Sequence, residues 1–432
     1  MAPRDELRSA PRWSLDGEAS LRVDVLVDLQ RSPAAGGHAR CWERLAEAAV
    51  RGDVPLDLTV HFSGDVDGRL DLSPQVRYLT HRPLFSTARL PFLSHVPDHT
   101  DLAPFHPGLA RALAGSRLIH TTDAYFAFAR TAMAVARRRG IPLVNSVHTD
   151  TPRYARVYTA ETIRRLFGTG WLSRLLLDRL YVDGWAERDM VAKLARYQQR
   201  CAVALVSRRE DYAELSQRVG FERAGMLRRG IDCRAFDPAR RDRGWLESEF
   251  GIAPDRVVVL FVGRLSAGKA VLPLAAAVRS LVDRGLPVHL LCAGTGNQLA
   301  EVQALLGPAA SCPGVLDGGR LARVYASADI FAMPSRIEVF ANAVMEALAS
   351  GLPALVSAGG GMARVLRDGE TGLVVPDDGP EAWSAAIGGL AADPGRRLAM
   401  AAAARESALH DLPSWDDVLR EDLLPVWRRV VR

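Results

Sequence analysis

Short apolar runs alternate with longer amphipathic stretches along most of the chain. The runs at Val23–Leu29, Leu58–Phe62, Arg117–His120, Leu143–Val147 and Ala202–Val206 read as strands, as do Val257–Val262, Val288–Cys292, Ile330–Met333, Ala354–Ser357 and Leu373–Val375. Helical patterns separate most of them, and that alternation predicts parallel sheets flanked by helices. The series restarts near Arg256, after the charged, proline-containing and aperiodic segment Asp232–Arg243. This segment reads as a connection between two doubly wound α/β domains. A further helix is predicted over Val339–Ala349, ended by Gly351 and kept from resuming by Pro353.

Composition narrows the class. The chain has 432 residues, 48% hydrophobic and 24% charged, more than one core ordinarily supports. No apolar run is long enough to span a membrane, and residues 1–20 mix charges without an apolar centre, so they read as a disordered lead-in. The five cysteines are scattered with no C-x-x-C pair, which predicts reduced thiols in a cytoplasmic protein and no metal site. The net charge of +5 is too mild to argue for nucleic acid. It fits an anionic small ligand or an anionic membrane surface equally well. Lys193 and Lys269 are the only lysines among 55 basic residues, so the placement of Lys269 invites a reason.

Candidate chemistry sits where strands end. Gly36 and Gly37 precede a helical stretch; they allow close backbone approach to a phosphate or sugar, or make a plain turn. After the first strand of the second half comes Gly263-Arg264-Leu265-Ser266-Ala267-Gly268-Lys269, whose two cations can converge on one pyrophosphate or stand solvated. His148 closes the strand Leu143–Val147, where this fold class places ligands. Glu338 and Glu346 stand eight positions apart on the predicted helix and its entry. Their Cα atoms would lie roughly 12 Å apart, too far to act together on one glycosidic bond, where about 5–9.5 Å is needed, yet suited to opposite ends of an elongated ligand. Two solvated glutamates is the plainer alternative.

Together these elements resemble the retaining glycosyltransferases of the GT-B fold, family 4. The resemblance is densest from Phe261 to Pro376, in Gly-Arg-Leu-x-x-x-Lys, the two glutamates with their Gly-x-Pro exit, and Asp368-Gly369-Glu370-Thr371-Gly372. It implies two Rossmann-like domains, 21–240 for the acceptor and 241–412 for the donor, facing a central cleft. Segment 413–432 would cross back to the first domain. By the same resemblance, Arg264 and Lys269 hold the donor diphosphate, Glu346 the ribose and Glu338 the donor sugar. The amides of Phe340, Ala341 and Asn342 meet sugar and phosphate, and Gly36 and Gly37 lie near the donor phosphate. His148-Thr149-Asp150 is similar to the His-Thr-Asp segment of a lipid-glycosylating subset, which places His148 near the reacting centre and the three residues on the acceptor side. The implied co-substrate is a nucleotide-diphosphate sugar, with no other cofactor and no metal, and the acceptor a hydroxyl, with lipids and glycolipids among the candidates.

Three departures stand out. Val339-Phe340-Ala341 replaces the usual Thr-Phe-Gly, Arg364 replaces a common Glu, and Gly268-Lys269-Ala270 replaces Glu-Lys-Gly or Glu-Lys-Asn. They leave two other readings open: a nucleotide-sugar epimerase on the same scaffold, and a nucleotide-sugar-binding protein with weakened turnover. The Arg-, Leu- and Trp-rich stretch Tyr154–Arg200 either packs on the first sheet or lies on an anionic membrane, at the inner face of the cell membrane.

Overall fold

In the computed structural model, residues 20–32, 36–52, 54–90, 99–335, 342–376 and 379–432 are described. The apolar runs form two sheets. The first contains β1 (Leu21–Gln30), β2 (Leu56–Ser63), β3 (Gly68–Asp71), β4 (Val76–His81), β5 (Leu118–Thr121), β6 (Leu143–Ser146), β7 (Val203–Val206) and β8 (Ala224–Met226), in the order β3-β4-β2-β1-β5-β6-β7-β8. Among the described residues, only the β3–β4 pair is antiparallel in this sheet. The second contains β9 (Val257–Val262), β10 (Val288–Ala293), β11 (Ala310–Gly314), β12 (Ile330–Met333), β13 (Ala354–Ser357) and β14 (Gly372–Val375), in the order β11-β10-β9-β12-β13-β14, with parallel pairing at every junction. Central strands such as β9 and β10 are buried on both faces, which is why they read as unbroken apolar runs.

Helix α1 (Gly37–Arg51) follows β1. Helices α2 (Thr151–Phe167) and α3 (Val182–Gln198) lie between β6 and β7, and α4 (Arg209–Val219) between β7 and β8. In the second domain α5 (Asn342–Ala349) joins β12 to β13, and α6 (Leu424–Val431) ends the chain. The segment Asp232–Arg243 is no loose tether. Phe236 is buried in the second domain's core with Leu246, Tyr325 and Leu348.

The chain end returns to the first domain. Trp415, Val418, Leu419, Leu423, Leu424 and Trp427 join the core built by β1, β2 and α1. Two strands of connecting chain run side by side there: Ile231 N–H donates to Pro413 O at 2.9 Å. A Cβ on Gly230 would meet the Trp415 backbone at 2.7 Å, so only glycine fits. Asp422 accepts from the Arg228 backbone N–H (2.8 Å) and from its guanidinium (2.7 and 3.0 Å), which fixes the crossing.

Candidate active site

Each sheet reverses its order at one strand, β1 in the first and β9 in the second. Connections leave such a strand to opposite faces and open a crevice at its carboxyl end. The glycine turn with Gly36 and Gly37 follows β1, and the loop with Arg264 and Lys269 follows β9.

The second of these loops is held backbone against backbone. Gly263 and Gly294 both take φ 149°. A Cβ on Gly294 would stand 1.9 Å from Gly263 O, and one on Gly296 2.1 Å from Leu265 O, so the loops after β9 and β10 can approach this closely only with glycine. Leu265 N–H donates to Thr295 O and Gln298 N–H to Leu265 O, both at 3.0 Å. Lys269 ends a single 3-10 turn, Ala267–Lys269, and Ala270 follows at φ 53°, unusual for a residue with a Cβ. Ser335 Oγ donates to Gly268 O at 3.1 Å, tying the loop to the exit of β12. Arg264 and Lys269 are both half-buried on this fixed frame. A forked guanidinium and a compact ammonium so placed suit the oxygens of a pyrophosphate.

Across the crevice, α5 faces α1. Asn342 Nδ2 donates to Gly37 O at 3.4 Å, so the two domains touch at the glycine turn. A Cβ at Gly37 would lie 3.5 Å from that Nδ2, whereas Gly36 has open space around it. Glu346 is half-buried one turn further along α5. Burial pushes its carboxyl up from the ordinary value, while the Tyr325 hydroxyl and the guanidinium groups of Arg44 and Arg40 on α1 pull it back. Glu338, Phe340 and Ala341 lie outside the described residues, as does the start of the helix predicted from Val339. Arg364, at one of the departures, forms an ion pair with Glu210 on α4, bridging the two domains.

The floor of the first domain is a cluster of imidazoles, His120 and His148 buried and His38 half-buried. His148 is 6% exposed and stacks on His38, ring centroids 4.6 Å apart and 4° from parallel. Its Nε2 meets Ser146 Oγ at 2.7 Å and Trp42 Nε1 at 3.3 Å. His120 Nε2 meets the same Ser146 Oγ at 2.8 Å, and Trp427 Nε1 donates to His120 Nδ1 at 3.0 Å. Burial pushes His38 and His120 down to about 3 and His148 well below the usual imidazole range; the Arg229 charge adds to the effect on His38 and His148. Arg229 itself is 3% exposed. Its Nε and Nη1, His148 Nδ1 and His38 Nε2 are buried without a partner among the described residues. An unsatisfied buried polar group costs about 1–3 kcal/mol, so these four atoms call for hydrogen-bond partners such as water or ligand oxygens. Beside it, Asp150 acts as the N-cap of α2, accepting from Arg153 N–H at 3.3 Å, and lies 4.0 Å from Arg208; Thr149, between His148 and Asp150 in sequence, is half-buried.

Over residues 256–393 the chain matches the family described as Glycosyl transferases group 1. Sucrose-phosphate synthase from Thermosynechococcus elongatus superposes with a TM-score of 0.67 at 20% identity, covering 95% of this chain and 98% of that one. The chain has the GT-B fold. The match to the group 1 family falls within the second domain. Curated relatives called D-inositol 3-phosphate glycosyltransferase match at 36% identity over 187 residues in Actinosynnema mirum, and at 29% over 418 residues in Rhodococcus erythropolis. The first match spans 40% of this chain and 44% of the relative's length, the second 90% and 86%.

The GT-B frame thus brings Gly37, Asn342, Glu346 and the α1 arginines to one seam and places Arg264 and Lys269 at the switch point of the second sheet. Sequence reasoning missed His38, Trp42, His120, Ser146, Arg229 and Trp427. A signal existed for two of them: His38 directly follows the glycine pair, and His120 lies at the end of β5 much as His148 follows β6.

Proposed function

We propose that the chain is a retaining, metal-independent glycosyltransferase of family 4 type, moving a sugar from a nucleotide-diphosphate donor to a hydroxyl acceptor. The observation that carries this reading is the rigid loop after β9, which offers Arg264 and Lys269 at the switch point of the group 1 domain. In this reading the two cations neutralise the diphosphate, so no metal is needed for charge. Glu346 accepts hydrogen bonds from the ribose hydroxyls and Glu338 faces the donor sugar. The bond from the anomeric carbon to the phosphate oxygen breaks, and the charge growing on the leaving diphosphate is met by Arg264 and Lys269. The acceptor oxygen bonds the anomeric carbon on the same face, and its proton passes to the departing phosphate. The protein contributes positioning and electrostatics rather than a nucleophile. A thermal-shift screen over nucleoside diphosphates and nucleotide sugars tests this: a ligand-dependent rise in Tm is expected, and no rise for any of them overturns it.

For the acceptor, the surface of α2, α3 and the turn between them favours a membrane lipid. Trp171 is 75% exposed and Trp185 68%, and Leu166, Phe167, Leu175, Leu180 and Tyr181 are exposed beside them. Arg164, Arg165, Arg174, Arg179 and Arg188 stand exposed among these side chains. Of α2, only Pro152, Ala160 and Ile163 are buried, so its apolar stripe is not consumed by the first sheet. Aromatic and aliphatic tips among arginines match an anionic bilayer surface, and the enzyme would work at the cytoplasmic face. No helix among the described residues is long and apolar enough to cross a membrane. The names of the curated relatives supply the rival acceptor, a soluble inositol phosphate. Flotation with anionic liposomes at low salt separates the two; absence of binding removes the membrane acceptor.

A further inference from the structure

We propose that the C-terminal helix α6 sets the tautomer of His148: the buried chain Trp427–His120–Ser146–His148 forces the His148 proton onto Nδ1, so that this ring presents an N–H donor to substrate. The relay begins at Trp427, since an indole nitrogen can only donate. Its Nε1 lies 3.0 Å from His120 Nδ1, so that nitrogen must be the acceptor, and the proton of neutral His120 sits on Nε2. That N–H points at Ser146 Oγ, 2.8 Å away, which therefore accepts. Ser146 is fully buried, and the contact left for its own hydrogen is His148 Nε2 at 2.7 Å. His148 Nε2 is thus an acceptor. A second donor-only group agrees from the other side: Trp42 Nε1 approaches the same Nε2 at 3.3 Å, which a proton there would oppose.

The consequence lies at the far nitrogen. His148 Nδ1 carries the proton, is buried and has no partner among the described residues. A ring held neutral with its acceptor nitrogen already engaged is poor as a general base. It is suited to donate one hydrogen bond to an oxygen of the sugar or the acceptor. Burial keeps both His120 and His148 neutral, and at His148 the nearby Arg229 charge adds to the effect, as the relay requires. Trp427, His120 and Ser146 are then positioning residues that act through His148. The catalytic part of this inference rests on the transferase reading above; the tautomer part does not.

Long-range ¹H–¹⁵N spectra of the full-length protein labelled at histidine report the tautomers without any turnover. The expected result is an Nδ1–H form for His148 and an Nε2–H form for His120. Trp427→Phe keeps the aromatic bulk and removes the donor, so His120 should become a mixture, with His148 following. Ser146→Ala should release His148 as well, and Ser146→Thr should restore it. In transfer assays, Trp427→Phe and Ser146→Ala should lower kcat roughly ten-fold with donor KM nearly unchanged, the size expected for one misdirected hydrogen bond. An Nε2–H form of His148 in the unaltered protein overturns the inference, as do unchanged tautomers and kcat in folded Trp427→Phe. If no donor is ever turned over but the spectra are as expected, the function reading falls and the relay stands.

Discussion

The two switch points of this molecule hold opposite kinds of site. Behind β9 lies charge: Arg264 and Lys269, half-buried on a loop that glycines 263, 294 and 296 lock in place. Behind β1, β5 and β6 lies a floor of three imidazoles that resist protonation, His38, His120 and His148, with the buried Arg229 guanidinium as a cation beside them. One half offers two cations on a loop, the other mainly directional hydrogen bonds from uncharged rings, with Arg229 as its single buried cation among the described residues. A diphosphate sugar has both parts. Under the proposed function the diphosphate would face the second domain and the sugar the first, which divides the expected failures into losses of grip and losses of aim.

The largest effect should come from grip. Lys269→Ala removes a cation that would meet the negative charge developing on the phosphate, and transfer should fall on the order of 10²-fold or more. The rise in Tm on adding the nucleoside diphosphate should shrink with it. His148→Asn should behave differently: kcat falls, while the diphosphate still raises Tm as in the unaltered protein. Equal loss of diphosphate binding in both variants would erase the distinction between the halves.

Acid tests the imidazole floor. His38 and His120 of that floor, and His81 at the end of β4 outside it, are each pushed by burial to about 3, below the ordinary imidazole value of 6.5. Between those values the unfolded chain binds protons that the folded one refuses. Folding stability should therefore fall as pH drops from about 6.5, by up to ~1.4 kcal/mol per pH unit for each histidine. Asp28 and Asp123 work the other way, since burial raises them and the folded state keeps protons there that the unfolded chain has released. The difference between His120→Asn and the unaltered protein isolates one histidine. Chemical denaturation at pH 6.5 and pH 5 should show a shallower acid loss in the variant, and parallel curves would refute the assignment.

Much of this architecture is legible in the sequence, and the exceptions have physical causes. Each of the ten apolar runs becomes a strand whose ends lie within two residues of the run, β1 gaining Leu21 and Arg22 before it and Gln30 after it. Four further strands escape the pattern. β3 is exposed throughout, β8 has three residues, and β11 includes Pro313 and Gly314 at a sheet edge, so none offers a buried apolar run; β4 alternates, but with arginine, threonine and histidine among its members. The glycine and cation loops are legible because each abuts a strong strand in sequence. The histidine floor is not, because Trp427 and His120 are 307 positions apart and meet only once the chain end crosses back. The apolar stripe of α2 is open to two readings, since helical periodicity reports a face and says nothing of what covers it.

The smallest effect probes an ion pair that joins the halves at their rim. Arg364 pairs with Glu210 on α4, and both side chains are more than half exposed. Pairs so exposed contribute under about 1 kcal/mol, and salt screens them. Glu210→Ala should therefore leave Tm nearly unchanged. Its effect should appear in the approach of the two domains, as a modest rise in donor KM that vanishes at high salt, where the pair is already weakened. Arg364→Glu places two acids opposite each other and should raise KM further at low salt. The double exchange Glu210→Arg with Arg364→Glu should restore it. If Arg364→Glu alone improves transfer, the arginine works against the donor directly, and its partnership with Glu210 is incidental to the seam.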